Sequence, residues 1–406
     1  MSFHVVVIGG GTGGLSLAHG LCKAGVSVAV YERQRVRTDR LQGFRLQVNP
    51  EGSRSLRECL PDDLWEEFIG YCGEPDGDTV LTDVQLNEIM RVGAPPPAHD
   101  NPIGVPRAIS RTTLQRLLSS GLDGVVRYDK EFVHYERQSD GRVRCHFADG
   151  TTTTADLVVG ADGGNSRVRE QLLPRAERVN TGIFSTGGKF PLTPETVELL
   201  PRRLTEGPNA ALASHACGIF TMPFWHSRPD EEDYITWSYS TSASFHPPRS
   251  AEMDGEEIKD VVGRLMTGWH PALRRVVAES DPRSAIVLPI YTAKRVRPWR
   301  TENVTVLGDA IHSMTPFMGA GANTAIRDAA LLTGNLVAVH SGQRELLDAV
   351  RDYEAKMLEY GFTMVRASLA LANMFVSESW LLRDVVKSTA KALSLIPPLK
   401  RKLLTP

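Results

Sequence analysis

The first thirty residues alternate between apolar runs and glycine-rich breaks. Val5 to Ile8 contains no polar position, as expected for a strand buried on both faces of a parallel sheet. Three glycines follow at once, and from Leu15 to Ala24 the apolar residues recur with helical spacing. Gly25 ends this helix, and Val26 to Val30 forms a second apolar run. The pattern predicts a βαβ unit.

Later segments are predicted from the same two periodicities. Alternation from Arg45 to Asn49 predicts a strand with one polar side. Three consecutive prolines make the stretch from Gly93 to Asn101 a predicted loop. The remaining predictions are a helix from Ser110 to Leu118, a pair of strands from Val143 to Phe147 and from Thr151 to Val159, strands from Gly218 to Trp225, from Tyr234 to Ser240 and from Val304 to Leu307, and a helix from Thr324 to Val339.

Charge and composition exclude several classes of protein. Lys and Arg number 46 against 48 Asp and Glu, and a formal net charge of −2 argues against a nucleic-acid partner. No apolar run approaches the ~18 residues of a membrane-spanning helix, and the start lacks the features of a secretory signal. The five cysteines contain no C-x-x-C pair, so the sequence predicts no disulfide framework, no metal site and a cytoplasmic location.

The first motif is a dinucleotide fingerprint. Gly9, Gly11 and Gly14 form G-x-G-x-x-G between the first predicted strand and its helix. Such glycines allow a tight turn, close approach of backbone to a diphosphate, and close packing of helix on strand. Glu32 ends the second strand, where a carboxylate accepts hydrogen bonds from ribose hydroxyls. The fingerprint alone does not separate NAD from FAD.

The second motif is the segment from Gly160 to Gly163. It follows the apolar run from Leu157 to Val159, so Asp162 is predicted at the carboxyl end of a strand, the edge at which open α/β sheets bind ligands. An ordinary Asp-Gly turn gives the same pattern. Arg167 and Arg169 follow on a predicted helix start and could meet an anionic cofactor.

The third motif follows the strand from Val304 to Leu307. Gly308-Asp309 places a short carboxylate at a strand end, which suits the hydroxyls of a ribityl chain. A loop with Pro316, Gly319 and Gly321 then leads into a helix, whose N–H groups would stabilise an anion such as the N1–C2=O edge of reduced flavin. A loop with a capped helix is the alternative interpretation.

In this order and spacing, the three motifs resemble those of the class A flavin-dependent monooxygenases, the group typified by para-hydroxybenzoate hydroxylase. The resemblance covers nearly the whole chain and implies an α/β (α+β) fold. A Rossmann-like FAD-binding domain is expected at 1–75, 106–175 and 291–340. An inserted mixed β-sheet substrate domain is expected at 76–105 and 176–290, and C-terminal helices at 341–406.

The resemblance also implies roles for individual residues. Glu32 would hold the adenosine ribose, Asp309 the ribityl chain, and Asp162 both FAD and the reduced nicotinamide. Arg111 would reach FAD, and His312 would brace the loop of the third motif. The full cofactor-binding set is Gly9, Gly11, Thr12, Gly13, Gly14, Glu32, Arg33, Arg45, Arg111, Asp162, Asp309, Pro316, Gly319, Gly321, Ala322 and Asn323. The candidate catalytic residues are Arg45 and Gln47 beside the flavin, Pro316, and His226 and Tyr239 as bases.

The implied reaction uses NAD(P)H to reduce FAD, after which O2 adds to give a flavin C4a-hydroperoxide. The product would be a hydroxylated or epoxidised aromatic or polyketide-like small molecule. The substrate is expected between the flavin and the mixed sheet. Its candidate wall, for which plain core packing is the alternative, is Phe220, Met222, Phe224, Trp237, Tyr239 and Phe317.

Other functions stay open at this point. A flavin halogenase shares the fold, but its W-x-W-x-I-P signature is absent. A reductase or oxidase would use the flavin for hydride transfer without oxygen insertion, and a regulatory nucleotide-binding protein would catalyse nothing. The basic stretch Lys400 to Lys402 could touch a membrane surface, although three charges are typical of a solvated tail. The choice between NADH and NADPH, the substrate and the oligomeric state are not determined by the sequence.

Overall fold

The computed structural model describes residues 3–35, 44–73, 77–92, 104–213, 216–228, 231–245 and 253–377. The predicted loop from Gly93 to Asn101 and the basic stretch from Lys400 to Lys402 lie outside these residues. The chain divides into two compact units, one of 1–72, 98–179 and 291–369 and another of 73–97, 180–290 and 370–406. Among the described helices, none has the length and apolar character needed to cross a membrane.

A five-stranded parallel sheet forms the centre of the first unit. Its strands are β1 (His4–Ile8), β2 (Ser27–Tyr31), β7 (Val126–Arg127), β11 (Leu157–Gly160) and β17 (Val304–Val306). They lie in the order β17-β11-β1-β2-β7 and pair in parallel throughout. Helix α1 (Thr12–Lys23) connects β1 to β2, which confirms the predicted βαβ unit.

The remaining elements of this unit surround the parallel sheet. Strand β3 (Arg45–Val48) pairs with β6 (Arg107–Ser110), and a three-stranded antiparallel sheet contains β8 (Phe132–Arg137), β9 (Val143–Phe147) and β10 (Thr152–Ala155). The helices are α2 (Pro50–Cys59), α3 (Asp62–Tyr71), α4 (Arg111–Ser119), α5 (Arg167–Leu172), α10 (Asp309–His312), α11 (Gly321–His340) and the start of α12 (Leu346–Phe375).

The single strand predicted from Thr151 to Val159 is wrong, because the segment contains two strands. Up to Ala155 it pairs antiparallel with β9, and from Leu157 it joins the parallel sheet beside β1. Asp156 lies at the change of direction, where its Oδ2 accepts a hydrogen bond from the backbone N–H of His4 at 2.7 Å. The switch between sheets could not be predicted because residues typical of strands lie on both sides of Asp156.

The second unit contains a seven-stranded sheet. Its strands are β4 (Thr79–Asp83), β5 (Glu88–Val92), β12 (Arg178–Pro191), β13 (Asn209–Leu212), β14 (Cys217–Phe224), β15 (Tyr234–Ser242) and β16 (Ile286–Ala293). They lie in the order β16-β12-β15-β14-β13-β4-β5. Because β13 pairs in parallel with β4 while β12, β15 and β14 pair antiparallel, the sheet is mixed, as predicted. Its helices are α6 (Pro194–Glu198), α7 (Arg202–Thr205), α8 (Gly255–Leu265) and α9 (Pro271–Ala278).

A buried carboxyl group fixes α12 against the parallel sheet. Glu354 is 4% exposed and accepts hydrogen bonds from Thr301 Oγ1 at 2.7 Å, Thr305 Oγ1 at 2.9 Å and Trp299 Nε1 at 3.1 Å. Burial raises the pKa of Glu354 from its usual 4.5 to about 7, although these three donors oppose the shift. Between pH 4.5 and about 7, Glu354 therefore keeps its proton in the folded chain but loses it in the unfolded chain.

This proton makes the folding free energy depend on pH. Between pH 4.5 and about 7 the native state binds more protons at Glu354, so its contribution to stability falls as pH rises. The total loss is on the order of 3 kcal/mol. In Glu354→Gln this dependence should disappear. Urea unfolding of both proteins across that pH range tests the prediction, and two parallel stability profiles would contradict it.

Candidate functional site

The glycine turn after β1 is closed by contacts between backbone atoms. Gly9 has φ +110°, and a Cβ built there would lie 2.3 Å from the carbonyl oxygen of Ala161. A Cβ on Gly14 would lie 2.1 Å from the carbonyl oxygen of Gly9. Ala161 N–H in turn donates to the carbonyl of Ile8 at 2.7 Å. No side chain therefore fits at Gly9 or Gly14, where the ends of β1 and β11 meet the start of α1.

Gly11 faces open space instead. A Cβ built on it would meet nothing within 4 Å among the described residues. Gly11 is the N-cap of α1, yet no side chain caps that helix and its first turn carries no acidic residue. The N–H groups at Thr12, Gly13 and Gly14 thus begin a helix whose positive end is open to an anion. This arrangement fits a dinucleotide diphosphate.

Glu32 lies beside this turn, as predicted. Its Oε2 accepts a hydrogen bond from Gly10 N–H at 2.7 Å, and its Oε1 accepts one from Gln34 N–H at 2.9 Å. Each carboxylate oxygen has a second lone pair, so Glu32 can also accept from ribose hydroxyls. Gln115, which the sequence analysis did not single out, donates its Nε2 to the carbonyl of Gly10 at 2.6 Å. Arg33 is exposed at the end of β2.

Asp309 lies next to the N-terminus of α11. Its side chain is exposed, and within the described residues no hydrogen bond to its carboxylate is found. A Cβ on Gly321 would lie 3.9 Å from Asp309 Oδ1. Helix α11 also lacks a side-chain cap and an acidic first turn. An exposed carboxylate is thereby adjacent to an open helix N-terminus. The carboxylate can accept hydrogen bonds from hydroxyl groups of a ligand, and the helix N–H groups can stabilise negative charge that develops on the same ligand.

The loop between these two features is exposed and carries the other residues predicted from the third motif. Pro316 begins a short 3₁₀ turn, Pro316–Met318, and Gly319 follows in the left-handed region with φ +60°. Phe317 is half-buried within this turn, whereas Pro316 and Gly319 are exposed. Ala322 is half-buried in the first turn of α11.

A buried network holds the third motif in place. Asp328 Oδ2 accepts a hydrogen bond from Gly308 N–H at 2.7 Å and lies 2.6 Å from His312 Nε2, while Tyr360 donates its hydroxyl to Oδ1 at 2.5 Å. Burial alone would lower the pKa of His312, but the facing carboxylate of Asp328 outweighs it and raises that pKa. The ion pair positions the Gly308-Asp309 turn. Asp328 was not among the predicted site residues, although an acidic residue on the buried face of α11 is a signal that could have identified it.

Asn323 links α11 to the strand that carries Arg45 and Gln47. Its Nδ2 donates to the carbonyl of Gln47 at 2.8 Å, and its Oδ1 accepts from Asn49 N–H at 2.9 Å. Arg45 is buried and pairs across β3–β6 with Ser110, directly before the exposed Arg111. The residues predicted to lie beside the flavin are therefore close together, and Asn323 uses both polar atoms to position them.

Asp162 lies at a strand end, as predicted, but its carboxylate already has partners. It accepts hydrogen bonds from Ser166 Oγ at 2.5 Å, Arg167 N–H at 2.8 Å and Val168 N–H at 3.3 Å. Burial raises the pKa of Asp162, and these bonds oppose the shift. This geometry favours the structural turn, and a direct cofactor contact stays a prediction. Arg169 donates to the carbonyl of Ala310 at 3.2 Å, which ties the second motif to the third.

The predicted substrate wall is divided by the register of β14 and β15. Phe220 pairs with Ser238 and Met222 with Thr236, so Trp237 and Tyr239 face the opposite side of the sheet. There Trp237 and Tyr239 are buried in a core with Val262 of α8, Leu273 of α9 and Trp269 between these two helices. This corrects the expectation that all five aromatic and Met residues of these strands line one wall.

Neither candidate base is free to act as predicted. Burial raises the pKa of Tyr239 far above its usual value, so its hydroxyl is harder to ionise than that of an exposed tyrosine. His226 is almost fully buried, with Nε2 2.9 Å from Glu231 Oε2 and Nδ1 3.3 Å from Asp233 Oδ1. Its ring also packs 4.0 Å from that of Phe224, measured between ring centroids. These contacts commit His226 to the turn between β14 and β15.

The fold and the open cradle define a dinucleotide-binding α/β protein, and comparison with known proteins identifies the cofactor and the family. The model of the FAD binding domain family matches residues 106–368, more than half of the chain, and an NAD(P)-binding Rossmann-like domain matches residues 7–63. The protein belongs to this FAD-binding family, and its resemblance to the class A flavin-dependent monooxygenases is confirmed.

Solved structures and curated relatives agree with this assignment. A putative FAD-containing monooxygenase from Photorhabdus luminescens has a TM-score of 0.84 and 35% identity, over 92% of this chain and 99% of its own. Klebsiella pneumoniae HpxO, in complex with FAD and uric acid, shares the fold with a TM-score of 0.80 at 21% identity, over 96% of this chain and 93% of its own.

The dual O-methyltransferase/FAD-dependent monooxygenase CTB3 of Cercospora beticola is 29% identical over 87% of this chain, which spans only 44% of that protein. The FAD-dependent monooxygenase phnB of Penicillium herquei is 27% identical over 91% of this chain and 90% of its own length.

Substitution by alanine should have different effects at Gly11 and at Gly14. Gly11→Ala should fold normally, because its Cβ enters open space, but should weaken FAD binding at least tenfold, or about 1.4 kcal/mol. Gly14→Ala should instead cost about 2 kcal/mol or more of folding free energy. FAD titration followed by fluorescence, together with urea unfolding, separates these effects. Unchanged FAD affinity in Gly11→Ala would contradict the placement of the diphosphate.

Removing the side chain of Asn323 should affect both stability and cofactor binding. Asn323→Ala leaves the Asn49 N–H without its partner and releases β3 from α11, so we expect weaker FAD binding and a loss of about 1–3 kcal/mol. Asn335→Ala is the matched control, since Asn335 lies in the same helix and donates to Ala349 O at 2.8 Å. The control should lose stability but keep its FAD affinity. Equal FAD affinities for both variants would refute the positioning role of Asn323.

Proposed function

We propose that the protein is an FAD-dependent monooxygenase. It would use NADH or NADPH as a transient reductant, and O2, to hydroxylate or epoxidise an aromatic or polyketide-like small molecule. The observation that carries the proposal is the uncapped N-terminus of α11 next to the exposed carboxylate of Asp309. Together with the open α1 cradle, it provides donors for both ends of one FAD in a chain of the FAD-binding family.

Several of the chain's own groups would bind and orient FAD. The N–H groups at the start of α1 would hold the diphosphate, and Glu32 would accept from the adenosine ribose. Asp309 would accept from the ribityl hydroxyls, for which its exposed carboxylate is available. When bound, FAD supplies hydride acceptance and activation of O2, chemistry that protein side chains lack.

The loop from Pro316 to Gly321 would complete the catalytic environment. Backbone N–H groups at the start of α11 would stabilise negative charge that develops on the cofactor ring, without reorganisation. Asp328 and His312 are buried and would keep the Gly308-Asp309 turn at one position throughout the reaction. These two residues are positioning residues, because neither reaches solvent.

For the substrate we propose a planar, mostly apolar molecule. Phe220 and Met222 share one half-buried face of β14, which presents aromatic and apolar side chains. Such a surface favours aromatic ligands. A FAD-dependent urate hydroxylase from Klebsiella pneumoniae is 27% identical over 86% of this chain, and its small ring-shaped substrate supports the proposed class.

The proposal also includes location and partners. None of the five cysteines is in a disulfide and four of the five are buried, which supports the reducing cytoplasm. The balance of 46 basic and 48 acidic residues supports a small-molecule ligand and no nucleic-acid partner. We propose no membrane contact.

Isotope-labelled O2 distinguishes the proposed activity from hydride transfer alone. The purified yellow protein is supplied with NADH or NADPH, labelled O2 and a panel of phenols, heteroaromatics and polycyclic aromatics, and its product is examined by mass spectrometry. We expect one labelled oxygen atom per product molecule, with peroxide release lowest for the best substrate. A reduced or dehydrogenated product that carries no label would identify a reductase or oxidase and reject the proposal.

A further inference from the structure

The exposed face of the β8–β9 hairpin brings together two histidines and a glutamate. His134 and His146 are direct cross-strand partners, and Glu136 lies two positions along β8 on the same face. The imidazole rings stack with centroids 4.3 Å apart and an interplanar angle of 6°. Potential ligand atoms of all three residues lie within 4.8 Å of one another. This cluster has no role in the FAD cradle.

The backbone under these side chains is held by the core. The opposite face of the hairpin carries Tyr135 and Cys145, which are 3% and 0% exposed. Strand β10 pairs with the other edge of β9 and places Thr152 opposite His146. The three polar side chains therefore project from a supported sheet, so little conformational entropy of the backbone would be lost on binding a ligand.

We propose that His134, Glu136 and His146 bind a divalent transition-metal ion, with Zn²⁺ as the probe. A Zn²⁺ ion lies about 2.0–2.1 Å from each imidazole nitrogen or carboxylate oxygen, so two ligand atoms of a tetrahedral site are separated by roughly 3.4 Å. His146 Nε2 lies 3.3 Å from Glu136 Oε2, and His134 Nε2 lies 3.7 Å from Glu136 Oε1. Rotation of the two rings out of their parallel stack would point both lone pairs at one ion. Water would complete the coordination.

The neighbouring charges set the character of this site. Arg144 pairs across the strands with Glu136 and is exposed on the same face, so it competes with a cation for that carboxylate. Two neutral imidazoles with one carboxylate favour Zn²⁺ or Cu²⁺ over Mg²⁺ or Ca²⁺, which prefer oxygen ligands. The cysteine spacing, on which the prediction of no metal site rested, carries no information about this cluster. The histidines lie on different strands, and only the pairing register brings them together.

Zn²⁺ titration of the untagged full-length protein, saturated with FAD and freed of chelator, tests the proposal. By calorimetry we expect one equivalent bound through this site, and an affinity at least tenfold lower in His134→Gln and in His146→Gln. His340→Gln, which alters an exposed histidine at the end of α11, is the matched control and should bind as the unmodified protein does. FAD content should be equal in all four proteins, because the cluster takes no part in the cradle.

A spectroscopic measurement keeps the test independent of variant folding. Cu²⁺ bound to the unmodified protein should show electron paramagnetic resonance couplings from two imidazole nitrogens, and from one in each single variant. Absence of Zn²⁺ binding up to millimolar concentration would overturn the proposal. So would Zn²⁺ affinity that is equal in the unmodified protein and both hairpin variants, or a Cu²⁺ spectrum without imidazole nitrogen.

Discussion

The contact between the backbones of Gly9, Gly14 and Ala161 is the constraint on which the first unit depends. It leaves no room for a Cβ at Gly9 or Gly14, where β1, α1 and β11 converge, and it therefore fixes the direction in which α1 leaves the sheet. The open N–H groups of that helix acquire their position from this contact. An added methyl group at Gly14 would meet a carbonyl oxygen, whereas one at Gly11 would meet only space, so packing and ligand binding impose glycine for different reasons.

A chain of polar contacts extends this constraint to the third motif. Asp162 caps the helix that carries Arg169, and Arg169 reaches the carbonyl of Ala310. Asp328 then holds Gly308 N–H and His312. Each bond contributes modestly to stability, about 0.5–1.5 kcal/mol, but a buried polar group without its partner costs more. Segments far apart in sequence are thus held together around Asp309, whose carboxylate accepts no hydrogen bond within the described part of the chain.

Local patterns were sufficient to predict β1, α1, β2 and the cofactor cradle, because strand, turn and helix are adjacent in the chain there. Features that depend on pairing between distant strands could not be predicted. Trp237 and Phe220 both lie on aromatic-rich strands, and only the β14–β15 register separates their faces. The same limit applies to Asp328, which gains its role from Gly308, and to the His134–His146 pair.

The central claim, that the three motifs form one FAD site, is tested most directly by titrating the flavin-free protein with FAD and, separately, with NADH. The account predicts one equivalent of tightly bound FAD with a resolved flavin absorbance band, and only weak, transient binding of NADH. Tight stoichiometric binding of NADH together with no uptake of FAD would contradict it.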